Sequence, residues 1–312
     1  MRFLILGTGG IGGCFGIRLA LSGADVRFVA RGRHAAKIRR DGLTLRGPDQ
    51  VLRLPKPSVT EDPGEAGPVD VVLHCVKTYD LDEATRRLHP ALTDSSIVVS
   101  LQNGIDNEDR IRGILPHGIV YGGVAYVYAT LTAPGEITEA AGPRKIVFGP
   151  MDGQTTAMTQ RILEAFQRAG ISAEVPSHIR TELWKKFVFI TAVGGVTALT
   201  RLTLGEILAV EETRRLLAAA MREPELIART LEIPLPADLI DSFFDIMSRF
   251  QNDTRSSLHF DLVHNRPMEL ESLSGSVIRL GASHHIPTPV HEIIYAALLP
   301  SHLRALERRS RP

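Results

Sequence analysis

Three glycines near the N-terminus fall in the pattern Gly7-x-Gly9-x-x-Gly12, a spacing suited to binding phosphates. A short apolar run, Phe3 to Leu6, leads into them, and a helical pattern from Ile11 to Leu21 follows. Strand, tight turn and helix form the setting in which such glycines hold a dinucleotide. Gly7 allows the sharp turn, Gly9 lets the backbone approach a pyrophosphate, and Gly12 lets the helix lie close on the sheet. The helix N-terminus adds free N–H groups and a partial positive charge for the phosphates. Glycine-rich turns also occur without nucleotides, so the flanking strand and helix carry the weight of this reading.

Asp25–Val29 reads as the second strand. An NAD-preferring unit usually carries an acid at its end to bond the ribose 2′-hydroxyl. Here Ala30-Arg31-Gly32-Arg33 stands in that place, and two guanidiniums suit a 2′-phosphate. The expected cofactor is therefore NADPH, with Arg31 against its extra phosphate. The alternative is that both arginines belong to a solvated loop.

Five further positions are candidates to react or orient. Lys77 ends the apolar run Asp70–Val76, and Asn103 follows the run Ile97–Leu101. Ligands of open α/β sheets bind outside the carboxyl ends of the strands, which places both residues beside cofactor and substrate. Asn103-Gly104 also suits a plain turn. Lysine is scarce, six of 36 basic residues, so each one is a candidate for a task that needs a compact ammonium able to give up a proton. Lys186, in Glu182-Leu183-Trp184-Lys185-Lys186, shares a helix face with Ile190 and Gly194 and either snorkels to solvent or is held in a cleft. The adjacent Gly194 and Gly195 cost a helix ~1 kcal/mol each relative to alanine, which implies close approach by a partner helix or a ligand. Glu269 and Glu271 fall at a predicted helix start, where favourable interaction with the helix dipole accounts for them without any role in chemistry.

Strands and helices alternate through the first half and place these groups. Short strands at Leu43–Arg46 and Val51–Leu54 flank Gly47-Pro48 as an insertion beside the main sheet. Val120–Leu131, Gly135–Thr138 and Lys145–Gly149 read as further strands, and Thr155–Ala169 as a covering helix. After Ser177 helical periodicity takes over. Ile179–Thr200 and Asp238–Val263 are predicted long helices, the second carrying Ser256 and Ser257. Asn265-Arg266-Pro267 breaks the pattern, a helix is predicted to begin near Met268, and His291–Leu306 forms the last one before a frayed tail, ERRSRP. The fold class is α/β: an N-terminal Rossmann-type doubly wound sheet over residues 1–177, then an all-α C-terminal domain over residues 178–312.

Composition excludes several function classes. With 312 residues the chain accommodates two domains. Its net charge of +1 gives no electrostatic footprint for nucleic acid or an anionic membrane. No unbroken apolar run approaches the ~18–20 residues that span a bilayer, and FLIL is too short for a signal-peptide core, so a cytoplasmic protein is expected. Cys14 and Cys75 form neither a disulfide framework nor a metal cluster and read as small core residues.

Together these features resemble the ketopantoate reductase (2-dehydropantoate 2-reductase) family across nearly the whole chain. The resemblance rests on GTGGIG at the N-terminus, CVK ending at Lys77, LQNG around Asn103, RTELWKK ending at Lys186, and SSL…D…NRPMELE around Glu269. It implies a Rossmann domain that binds NADPH, a helical domain that closes over it, and reduction of a 2-oxo acid to a 2-hydroxy acid. By that resemblance the loop Gly7, Thr8, Gly9, Gly10, Ile11, Gly12 holds the cofactor together with Arg31, Lys77, Asn103 and Glu269. Lys186 is the general acid, Glu269 contacts cofactor and substrate, and Ser257 and Asn103 bind substrate. The implied reaction is ketopantoate to pantoate, in pantothenate biosynthesis. In the family, asparagines stand where this chain has Ile190, Gly194 and Leu204. Loss of three substrate-side amides points to the alternative of a bulkier or less polar 2-oxo acid. An alternative of another class is a non-catalytic NADP-binding sensor, against which the retention of Lys186 and Glu269 argues. The apolar helical half could support a homodimer.

Overall fold

The computed structural model describes residues 1–309. It contains β1 (Arg2–Leu6), α1 (Gly10–Leu21), β2 (Asp25–Val29), α2 (Gly32–Asp41), β3 (Leu43–Arg46), β4 (Val51–Leu54), β5 (Ser58–Thr60) and β6 (Val71–His74). There follow α3 (Leu81–Arg86), β7 (Ile97–Ser100), α4 (Asn107–Ile114), β8 (Ile119–Tyr126), β9 (Ala129–Ala133), β10 (Glu136–Glu139), β11 (Lys145–Pro150), α5 (Ala157–Arg168) and β12 (Ser172–Glu174). The remainder is helical: α6 (Ile179–Thr200), α7 (Leu204–Ala209), α8 (Glu211–Thr230), α9 (Leu239–Met247), α10 (Ser257–Val263), α11 (Ser276–Ser283) and α12 (Pro289–Arg309).

The main sheet has eight strands in the order β12-β11-β8-β7-β6-β1-β2-β5. Only the β8–β11 pairing is antiparallel. Successive residues of β1 point to opposite faces, and both are buried: Phe3 and Ile5 join one core, Leu4 and Leu6 the other. That is why the strands read as unbroken apolar runs rather than alternating ones. From β1 the chain moves to β2 on one side and later to β6 on the other, so the loop after β1 lies where the strand order reverses.

A second sheet, β4-β3-β10-β9, packs on α1. The predicted strand Val120–Leu131 in fact divides at Val127 and Tyr128, where the chain leaves the main sheet and enters the second one. Helix α1 has glycines toward both layers. A Cβ at Gly16 would strike Phe28 and Ile5, and one at Gly13 would strike Ile137. The two layers are also tied by charge. Glu139 on β10 takes Arg18 of α1 at 2.6 Å and Arg144 at 2.7 Å, with Arg18 and Glu139 both buried.

The chain divides into two compact units: residues 1–102 with 107–182, and residues 103–106 with 183–312. The second has its own core, in which α6 supplies Trp184, Phe187, Val188 and Val196, and Phe189 stacks edge-on against Phe243 at 5.2 Å. Helix α6 is 22 residues long and apolar enough to cross a membrane, with 67% of its apolar stretch buried inside the protein. Lys185 and Lys186 lie within that stretch, so the unbroken apolar run in α6 remains shorter than a membrane span, as expected from the sequence.

Two helix expectations fail locally. Asp238–Val263 is not continuous: α9 stops at Met247, and Ser257 opens α10. The intervening segment turns to cap α7, with Leu204 N–H donating to Thr254 O and Gly205 N–H to Asn252 O. No helix starts at Met268. Its N–H donates to His302 Nδ1 at 3.1 Å, and a π-helical turn over Glu271–Gly275 precedes α11. At the end of the chain α12 continues to Arg309, and residues 310–312 of the predicted frayed tail lie outside the described residues.

Candidate active site

In the first unit, Gly7 holds φ +99°, and a Cβ there would meet Val76 N at 2.8 Å. The turn off β1 therefore runs hard against the chain leaving β6, one residue before Lys77. A Cβ at Gly12 would collide with the Gly7 carbonyl, so the first turn of α1 presses on the loop itself. Gly9 is different: a Cβ added there meets nothing within 4 Å. The side of the backbone left bare is open, which suits the approach of a phosphate, and the first turn of α1 carries no acid to repel one. Thr8 is pinned to the end of β2, where its N–H and its hydroxyl both donate to the Val29 carbonyl at 3.0 and 2.9 Å.

Arg31 is the residue just before α2, and Arg33 lies in the helix's first turn, so the expected loop is only a helix entry. Both are exposed. Arg31 Nη2 is 3.4 Å from Glu83 Oε1. Glu61 accepts the Gly32 N–H at 3.2 Å, which sets a carboxylate at the start of α2 that sequence reasoning missed. It lies just past β5, too far along the chain for a β2-end rule to find. Lys77 is half-buried and leads a single 3-10 turn, Thr78–Asp80.

In the second unit, α6 carries Lys186 and the loop before α11 carries Glu269, which is buried at 7% exposure. The two interact: burial pushes the Lys186 ammonium down to about 8, while the Glu269 carboxylate pulls the other way. Asn103 is grouped with this unit and donates from Nδ2 to Glu269 Oε2 at 3.5 Å. Lys186, Glu269 and Asn103, far apart in sequence, thus form one cluster. Glu269 sits just ahead of the π-helical turn, a distortion often found at functional sites.

The serine pair separates by role. Ser256 caps α10 through His259 N–H and meets Thr197 Oγ1 of α6 at 2.7 Å, whereas Ser257 is exposed. Along α6, Ile190 is half-buried and Gly194 faces the start of α10, where a Cβ would sit 3.7 Å from Leu258. That is ordinary contact, so packing does not require glycine at 194. Gly195 is tighter: its Cβ would lie 2.8 Å from Ile294 Cδ1 of α12, so that side chain would have to shift. Leu204 is buried in the core at the start of α7.

Residues 3–153 match the family described as ketopantoate reductase PanE/ApbA, and residues 178–300 match its C-terminal counterpart. This chain belongs to the ketopantoate reductase family. Ketopantoate reductases are oxidoreductases that use a nicotinamide dinucleotide, and the open Gly9 backbone with its helix N-terminus fits such a group. Among relatives, an uncharacterized oxidoreductase of Bacillus subtilis is 30% identical over 96% of this chain and 98% of its own length. A 2-dehydropantoate 2-reductase of Halobacterium salinarum is 28% identical over 93% and 95%. The crystal structure of a PanE/ApbA family ketopantoate reductase from Ralstonia eutropha superposes with a TM-score of 0.90, at 29% identity, covering 98% of this chain and all of that one.

Proposed function

We propose that this ketopantoate reductase family member reduces a 2-oxo acid to the 2-hydroxy acid with NADPH, with ketopantoate as the leading substrate. The observation that carries the reading is the Lys186–Glu269–Asn103 cluster. When bound, the nicotinamide supplies a hydride to the carbonyl carbon. The carbonyl oxygen then becomes an alkoxide, and the Lys186 ammonium gives it a proton. An ammonium whose pKa is drawn toward neutrality releases that proton more readily than a solvated one, and while it stays charged it stabilises the developing oxyanion. Glu269 keeps Lys186 protonated and holds the Asn103 amide, which is then oriented toward its ligands. Ser257, exposed at the start of α10, supplies a hydroxyl for the substrate.

For the cofactor, Arg31 and Arg33 favour the 2′-phosphate of NADPH. Glu61 supports a second reading, since a carboxylate at the start of α2 is what a ribose hydroxyl, and so NADH, would use. Initial rates with ketopantoate, and with a panel of apolar and aromatic 2-oxo acids, each run with NADPH and with NADH, test both points. Efficient turnover of ketopantoate with NADPH is expected. Activity restricted to the apolar acids would mean that Ile190 and Gly194 have rebuilt the pocket, and absence of turnover on every acid would overturn the reading.

A further inference from the structure

His34, one turn into α2, joins three segments that are remote in sequence. Its Nε2 lies 2.7 Å from the Thr8 carbonyl, and the Gly135 N–H donates to its Nδ1 at 2.9 Å. A carbonyl can only accept and an N–H can only donate, so the two partners fix a neutral ring with the proton on Nε2. The ring thus links the glycine-rich loop to the turn between β9 and β10. Thr8 is already tethered through its N–H and hydroxyl to Val29. The Thr8 carbonyl and the Gly9 N–H belong to one planar trans peptide and point in opposite directions. Holding the carbonyl therefore aims the Gly9 N–H, and at Gly9 the direction that a Cβ would occupy is open.

We propose that His34 is a positioning residue for the dinucleotide: by holding the Thr8 carbonyl from one side, it aims the Gly9 N–H at the pyrophosphate from the other. The inference rests on the nicotinamide-dinucleotide reading of the loop. It also makes cofactor affinity depend on a proton, because a protonated ring would turn a second donor toward the Gly135 N–H and break the link. The charged groups on the elements around it are Arg31 just before α2, Arg33, Lys37, Arg39, Arg40 and Asp41 on α2, and Glu136 and Glu139 on β10. Lys37 is paired with Asp41, and Glu136 with Arg46. The shift at His34 is downward and comes from burial, opposed by its bond to Thr8, so the ring stays neutral at neutral pH and gains its proton only in acid.

The test is NADPH affinity of the full chain, titrated by fluorescence across pH, for the wild type, His34→Ala and His34→Gln. His34→Ala should weaken binding about 10-fold at neutral pH, the size of one lost hydrogen bond, while kcat at saturating cofactor changes little. Glutamine offers one donor and one acceptor at a separation close to that of the two ring nitrogens, and it does not titrate. His34→Gln should therefore bind within about 3-fold of the wild type and lose the weakening that the wild type shows in acid. Unchanged affinity in His34→Ala, equal loss in both variants, or acid weakening that persists in His34→Gln would each overturn the proposal. A wild type that binds no NADPH or NADH at any pH would instead remove the cofactor reading on which it rests.

Discussion

Two opposing influences act on the proton of Lys186. Burial disfavours the ammonium, the Glu269 carboxylate favours it, and burial wins, leaving a group that titrates at about 8. In the proposed role of proton donor Lys186 must be charged, so turnover at saturating substrate should fall as pH rises through about 8. Replacing Glu269 by glutamine removes the counteracting charge, so the same inflection should move to lower pH. A pH–rate profile that stays in place in Glu269→Gln would contradict the pairing. Folding feels the same shift with a definite sign. Between about 8 and the ordinary 10.5, the unfolded lysine holds more proton than the folded one, so stability should rise with pH through that window. Denaturant midpoints of wild type and Lys186→Met across the window check this, and only the wild type should show that contribution.

Helix α6 gives the clearest contrast at the scale of elements. Its two adjacent glycines looked alike in sequence, and their surroundings separate them. Gly194→Ala adds a methyl at ordinary contact distance and removes a helix-interior glycine, so it should stabilise the protein by up to ~1 kcal/mol. Gly195→Ala must displace Ile294 or shift α12, and should destabilise it. Thermal midpoints of the two variants would show shifts of opposite sign. Helix α6 was legible because its long apolar stretch is local to one segment of the chain, as was the order of strand, glycine turn and helix at β1 and α1. The break between α9 and α10 was not legible, since the α9–α10 segment is drawn away to cap α7, a partner some fifty residues earlier in the chain. The π turn after Glu269 was hidden for a similar reason: Met268 N–H is taken by His302, more than thirty residues downstream. Lys186 and Glu269 could be named from motifs, whereas Glu61 and His34 depend on strand order and on a turn between two other strands.

At the scale of the whole molecule, the residues assigned to cofactor and to proton transfer fall largely into different compact units. The glycine loop, Arg31 and Lys77 belong to the first, and Asn103, Lys186, Ser257 and Glu269 to the second. Binding and turnover should therefore be separable by mutation. A ligand that binds only the folded state stabilises it by an amount set by its concentration relative to Kd, about 2.7 kcal/mol at 100 times Kd. NADPH should raise the unfolding temperature of the wild type and, by the same margin, that of Lys186→Ala, in which kcat should drop ~100-fold or more. Arg31→Ala should show the converse, with a smaller shift from NADPH, an unchanged shift from NADH, and near-normal kcat once cofactor saturates. If Arg31→Ala reduces both shifts equally, Arg31 does not read the 2′-phosphate. Glu61→Gln then becomes the informative variant, because a carboxylate that recognises the ribose hydroxyls would make its loss selective for NADH.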